Sequence, residues 1–482
     1  MSMPFFSPRD LLRVLFGCAV LLVCMATGLG TTSAYAQGET LYVDIEVENS
    51  NFDGSSWGNA FLTLQNALAV AGPDDEIWVA EGTYYPTNTE DRTISFEING
   101  DQDGLKIYGG FDPDTGDTDF ADRDRFVNET ILSGRLGNDI LFGPILSYQV
   151  VVFAQNGDTG PSGGAITRDT VIDGFIIEEG SADTGYPYRN GGAIYINGRG
   201  SGNEASPTIA NMTLRNNYGM NGGAVGIDGT QGGTSSPLLT DVAFIRNETP
   251  LDGGAVYGRG AGNPVIKNAV FIENEAAEYQ FGSGPNYAYG GAIAVRSGSP
   301  SIHVINTVFA NNASKRGGAI YTDADMRLTN VTMAGNAASD FGGAIVNNAD
   351  LLFENSIAWG NASAGGEDEV YNSSVRGATV QYTHALVQGR NPAGTGNLDG
   401  TDAANAPGFP NPNTPAGPDG ILATIDDGLR LGENSPAVDA GDNSLIAEPT
   451  DLTGRQRIQN GAVNLGPYEE AADTPERIYV DA

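Results

Sequence analysis

Two short motifs recur along this chain at linked positions, and together they restrict the fold more than any total does. The first joins two Asn-type residues six apart: Asn211 to Asn217, Asp241 to Asn247, Asn268 to Asn274, Asn306 to Asn312, Asn330 to Asn336 and Asn355 to Asn361. Its fourth position runs Leu214, Phe244, Phe271, Phe309, Met333 and Ala358. The second is Gly-Gly-Ala followed by Ile or Val, beginning at Gly163, Gly191, Gly222, Gly253, Gly290, Gly317 and Gly342. After the glycines, pairs such as Ile194/Ile196 and Val225/Ile227 alternate as a strand with one buried face does.

Each unit therefore reads as two short strands separated by a tight Asn/Gly corner, with a period of roughly 25–37 residues. Strands this short cannot fold alone, but stacked coils share one core. Fixed glycine pairs and the lack of a 3.6-residue apolar period exclude helical repeats. Identical units stacked in register give parallel strands, and Asn at equal corners can form a hydrogen-bonded ladder. The fold class expected is all-β, a right-handed parallel β-helix. Asn-x-Ser/Thr strings at Asn247 and Asn312 then read as corners, not glycosylation sites.

The ends differ from the repeats. Residues 1–36 read as a signal peptide: Arg9 and Arg13 precede an apolar run, and Ala34-Tyr35-Ala36 is a small-x-small cleavage site. Residues 37–105 are an N-terminal cap and first coils. There 61–71 reads as a short amphipathic helix over the open end, with Leu62, Leu64, Ala67, Leu68 and Ala71 as its apolar face, and 75–86 as the first strand and corner. Coils run from about 75 to 390, the regular repeats within 106–390. Some twelve coils at about 4.8 Å each make a rod of roughly 55–60 Å. Residues 391–470, rich at first in Pro, Gly and Asn, are a loop and C-terminal segment. In the last stretch, 471–482, "ERIYVDA" echoes "ETLYVD" at 39–44 and reads as the start of a further copy.

Both cysteines lie in the signal segment, so a mature chain has no disulfide and no thiolate chemistry. The net charge is −36, and only three residues are lysine (Lys106, Lys267, Lys315). Such a surface repels nucleic-acid phosphates and suits hydration in high salt. The histidines, His303 and His384, stand in no catalytic pattern and read as structural.

Three groups of residues are candidates for function. In Asp323-Ala-Asp325-Met-Arg327, alternation places the polar side chains on the outer face of one strand, with Arg296 of the preceding coil beside Asp323. Carboxylates and arginines so placed serve an acid/base step, or else form an exposed ion-pair ladder. Two long loops, 180–190 and 275–290, leave one edge about three coils apart. Tyr186, Tyr188, Arg189, Tyr279, Phe281, Tyr287 and Tyr289 then flank a groove suited to stacking sugars, or else pin the loops to the coils. Finally, Asn411, Asn413, Asp419, Asp426 and Asp427 offer hard oxygen ligands for Ca²⁺ in a Gly/Pro-rich loop, or are an acidic linker. No other cofactor is expected.

The repeats resemble those of chlamydial-type polymorphic outer membrane proteins. The stretches 53–86, 107–111, 417–442 and 451–469 resemble choice-of-anchor Q domain proteins, secreted bacterial β-helices of the pectin-lyase-like class. The resemblance implies export and a β-helix but not an activity, since that fold carries lyases, hydrolases and adhesins. The Asn-Thr-Asp, Gly-His-Gly and Arg-Ile-Lys strings of polygalacturonase-like enzymes do not occur. The first expectation is a non-catalytic protein, secreted or at the outer cell surface, that adheres or binds a glycan. Its partner is a polysaccharide or a host or cell-surface component. Membrane attachment would come only through an anchor not visible here. The rivals are a polysaccharide lyase or glycoside hydrolase, and a passive structural module of a longer surface protein.

Overall fold

The computed structural model describes residues 38–48, 51–116, 118–139, 143–154, 164–277, 288–296, 301–366, 369–373, 376–459 and 461–469. Residues 1–36, read above as a signal peptide, and 471–482 lie outside them.

The chain winds as a right-handed parallel β-helix with three sheets per coil. The long first sheet has eleven rungs on its main path, from Thr40–Val43 to Thr379–Val387. The Asn motif lies on it. The second sheet has nine strands and carries the residues after Gly-Gly. A third sheet of seven short strands fills the turn between the ladder Asn and the glycines. Alternation could not reveal this third sheet, because most of its strands, such as Glu248–Thr249, are only two residues long. Every pairing between coils is parallel, in the register that the repeats set: Leu214 pairs with Phe244, Phe244 with Phe271, Phe271 with Phe309, Phe309 with Met333 and Met333 with Ala358. The three phenylalanines stack nearly flat, with centroids 4.4 and 4.7 Å apart.

The two Asn positions do different work. The second, buried from Asn217 to Asn336 and half-buried at Asn361, forms the ladder. Asn217 Nδ2 donates to Asn247 Oδ1, and so on through Asn274, Asn312, Asn336 and Asn361, at 2.7–3.0 Å. The first sits in the left-handed region, at φ 46–58° from Asn211 to Asn355, and bends the strand. That region suits the short amide side chain of Asn. His384 occupies the same bend at φ 48°, which accounts for it as a structural residue. At the glycine corner, the first glycine of each pair from Gly191 to Gly342 has φ of 63–70°. The second lies against the next coil: a Cβ on Gly291 would meet Gly318 O at 2.1 Å.

At the N-terminal end two expectations need correction. The first rung is Thr40–Val43, paired with Glu76–Ala80, so coiling begins before residue 75. The helix is shorter than 61–71, only Leu64–Leu68, because Phe61 instead bridges Val43. It still packs Leu64, Ala67 and Leu68 into the core.

The C-terminal segment, 391–469, is not a free linker. It lies as an irregular strap on the outer face of the first sheet. Leu429, Leu452 and Tyr468 pack on Val270, Ile272, Val308, Ala310 and Ala334, and Leu431, Ala437 and Leu465 on Ile357 and Leu386. The bend positions hold it. Asn306 Nδ2 donates to Thr450 O at 2.8 Å, Asn355 exchanges bonds of 2.8 and 3.0 Å with the Asp442 backbone, and His384 Nδ1 bonds Ala440 O at 2.8 Å. A buried Arg457–Glu469 ion pair (3.2 Å) knots the strap to itself.

Candidate functional site

The outer face of the second sheet gathers some of the candidates, Arg296, Asp323 and Tyr289 among them, along two rows set by coil register. One row runs Tyr195, Gly226, Tyr257, Ala294, Tyr321, Val346 and Tyr371, large residues alternating with small ones. Two positions further along each coil lie Asp228, Arg259, Arg296 and Asp323. Here the chain spends its scarce cations. Arg259 Nη2 lies 2.6 Å from Asp228, and Arg296 bridges Asp252 at 2.9 Å and Asp323 at 3.4 Å. The Arg296 guanidinium also lies over the rings of Tyr289 and Tyr321, at 4.7 and 5.2 Å.

The Asp323 cluster is not one strand face. The strand Ile320–Thr322 ends before it and Met326–Ala334 begins after it, so Asp323 and Asp325 lie on the corner between two sheets. Alternation breaks there, and Arg327 faces another side, where its Nε bonds Glu354 at 2.7 Å beside His303 and Thr329. Burial and the neighbouring Arg327 push the His303 imidazole down to about 4. Asp325 is exposed and accepts from the Asp350 backbone. Asp323, by contrast, is crowded with donors, three on Oδ1 and one on Oδ2. Its carboxylate accepts from Arg296 Nη1, Arg376 Nη1, Tyr321 OH and Asn348 Nδ2, at 3.0–3.4 Å. Asp252 is buried, and desolvation pushes its carboxyl up against the pull of Arg296.

The loop residues divide. Tyr279, Phe281 and Tyr287 lie outside the described residues. Tyr289 does not flank an open groove: it is buried, and its ring stacks on Tyr321 at 4.4 Å. Tyr188 stacks on Tyr148 at 5.0 Å and fastens the first loop to the coil. Tyr186 stands out, 39% exposed, with the Arg199 guanidinium 4.4 Å above its ring. Tyr186 and Arg189 line a pocket of about 490 Å³ with Arg199, Thr230, Gln231 and Arg259. Among the described residues, neither Arg189 nor Arg199 is paired with a carboxylate. Asp228, at the pocket's edge, is 1% exposed and taken by Arg259, Tyr195 OH and Thr230. Arg199 and Arg259 were not singled out in the sequence. Their signal was there, since each sits as Gly-Arg-Gly shortly after a Gly-Gly-Ala motif in a chain with few cations.

The acidic loop at 411–427 is folded on its own turns. Asp419 Oδ1 accepts from Ile421 N, Asp426 from Thr424 Oγ1 and Asp419 N, and Asp427 from Ala423 N and Tyr468 OH at 2.6 Å. Asn411 contributes its backbone oxygen, to Thr414 N. Burial pushes the Asp427 carboxyl up to about 7. Among the described residues no three acidic or histidine side chains converge as a metal cage.

The model of the Chlamydia polymorphic membrane protein repeat matches residues 306–323, which hold the Asn306–Asn312 motif and the Gly317-Gly318-Ala319-Ile320 corner. No curated protein matches the chain. Among solved structures, pectate lyase Pel9A aligns over 91% of this chain and 98% of its own, at 14% identity and a TM-score of 0.46. A rhamnogalacturonan lyase aligns over 82% and 97%, at 14% identity and a TM-score of 0.40.

Proposed function

We propose that this chain is an exported or cell-surface β-helix that binds an acidic polysaccharide without cleaving it. The pocket of Tyr186, Arg189, Arg199 and Arg259 carries the reading. In a chain of net charge −36, two guanidiniums without carboxylate partners flank an exposed aromatic ring. A planar guanidinium matches a uronate carboxylate or a sulfate ester with two parallel hydrogen bonds. The Tyr186 ring offers a face to the sugar's C–H groups. The match to a surface-protein repeat supports the location.

The absence of cleavage is argued from the carboxylates. A general base must present a lone pair to the proton it removes. Asp323 accepts from four protein donors, two of them arginines that hold it as a paired carboxylate, and Asp228 is buried among three. Both serve to hold arginines in place.

The test is retention of residues 37–482 on polygalacturonate, alginate, a sulfated glycan and a neutral glucan, reading released unsaturated or reducing ends in parallel. Retention on the acidic polymers alone is expected, at least tenfold weaker in Arg199→Ala and falling with salt. New chain ends would refute the binding-only reading, and retention indifferent to Arg199 and Arg189 would refute the site.

A further inference from the structure

A second pocket lies at the other end of the coil stack and away from the arginines. It has a volume of about 750 Å³ and opens where the Asn ladder ends. Its walls are Trp359, Asn361, Ser363, Glu369 and Gln388, closed on one side by the turn at Gly400–Ala403. The ladder's last amide, Asn361 Nδ2, donates to Glu369 Oε2 at 2.5 Å, and Asn361 N donates to Glu369 Oε1 at 3.2 Å. Glu369 is 5% exposed. Gln388 Oε1 is held by Gly360 N at 2.6 Å, which fixes the orientation of its amide.

We infer that this pocket binds a neutral, hydroxyl-rich oligosaccharide, stacked on Trp359 and read by the Gln388 amide N–H and the hydroxyls of Ser363 and Thr401, while the Asn361–Glu369 pair, satisfied by its own bonds, forms the polar floor. An indole beside fixed amides and hydroxyls is the pairing that a sugar ring asks for, apolar on one face and hydroxylated at its rim. No lysine or arginine lines the pocket, and a carboxyl does. An anionic sugar therefore finds no cationic partner in this lining. A purely apolar ligand would leave the Gln388 amide N–H, whose orientation the Gly360 bond fixes, without a partner. The volume accommodates more than one sugar unit. The inference is independent of the arginine pocket and does not require an acidic polymer.

Trp359 makes the test direct. The other two tryptophans, Trp57 and Trp78, belong to an aromatic cluster on the first coils, within 4.9–5.7 Å of Tyr42. Residues 37–482 would be titrated with cellohexaose, mannohexaose and xylohexaose, and with trigalacturonate as the anionic probe. Tryptophan fluorescence and calorimetric heat would be followed together. Saturable binding of at least one neutral hexaose is expected, with a fluorescence change that Trp57→Phe/Trp78→Phe leaves intact. Ala362→Arg and Ala403→Arg, both at exposed positions on the pocket rim, should weaken it at least tenfold. Arg199→Ala should leave it unchanged. Two rim variants, each checked by circular dichroism, separate loss of the pocket from loss of the fold. Absence of saturable binding by all three neutral hexaoses would overturn the inference. So would binding that survives both rim variants, or a preference for trigalacturonate that survives Arg199→Ala.

Discussion

Glu369 terminates the asparagine ladder: it accepts the last amide of a file in which every Nδ2 points the same way, from Asn217 to Asn361. Aligned amide bonds polarise one another, and a carboxyl at the accepting end completes the file. Burial nonetheless pushes the Glu369 carboxyl up to about 7, because the cost of desolvation exceeds the help from Asn361.

That shift fixes the sign of a pH effect. A glutamate with an ordinary pKa of 4.5 unfolded and about 7 folded holds its proton longer in the folded state. Folding therefore binds protons between these values, and stability falls as pH rises through that window and stays low above it. Asp427 acts in the same direction. Urea unfolding at pH 5 and pH 8 should show the wild type more stable at pH 5. Glu369→Gln should remove about 2–3 kcal/mol of that difference. An unchanged pH dependence in the variant would show that Glu369 ionises in the folded chain as it does unfolded.

The interior of the ladder should tolerate substitution poorly. Asn312 donates to Phe271 O and to Asn336 Oδ1, and accepts from Asn274 N and Nδ2. Asn312→Ala leaves these buried partners unmatched. The expected loss is about 3 kcal/mol or more, read as a lower denaturation midpoint. Asn312→Asp, which keeps the acceptor and loses the donor, should fall no less.

The phenylalanine stack gives a comparison within one repeat position. Phe271→Ala opens a cavity between Phe244 and Phe309 and should cost about 3–5 kcal/mol. Phe271→Leu, closer in volume and of a type already present at Leu214, should cost under half as much. Equal losses would mean that ring stacking, and not volume, dominates.

Gly291→Ala should unfold the middle of the stack. The added Cβ meets Gly318 O at 2.1 Å, and both groups are backbone, so neither can turn aside. Gly290→Ala meets backbone as well, Ile293 O at 2.0 Å, and adds a left-handed φ of 66°. Both should lower the thermal midpoint by several degrees or more, with Gly290→Ala at least as damaging.

The coils were legible because one requirement repeats. Each Phe or Leu of the fourth position must lie over the next, and each corner must return the chain to register, so spacing alone gave the stack. Two kinds of feature escaped. The third sheet is too short to show a period. The strap is anchored by contacts such as Asn306 to Thr450 and Lys267 to Glu448, between residues far apart in the chain and without mutual pattern. The Asp323 reading failed because strand alternation was carried through a corner. Arg199 escaped because an isolated arginine beside glycines becomes meaningful only when the coil brings Tyr186 and Arg259 to it.

A coiled stack built from interchangeable units could gain or lose a unit at almost any level. Here the strap acts as a ruler along part of it. Ala440, Asp442 and Thr450 meet His384, Asn355 and Asn306 in turn. A coil inserted between Asn306 and His384 would move these partners apart by one rung, about 4.8 Å, and no single residue of the strap could recover all the contacts. Among the described residues, coils before residue 243 take no part in the strap's apolar contacts. Inserting a whole unit should therefore cost more beneath the strap than on the N-terminal side. Insertions that preserve the fold are expected first on that side.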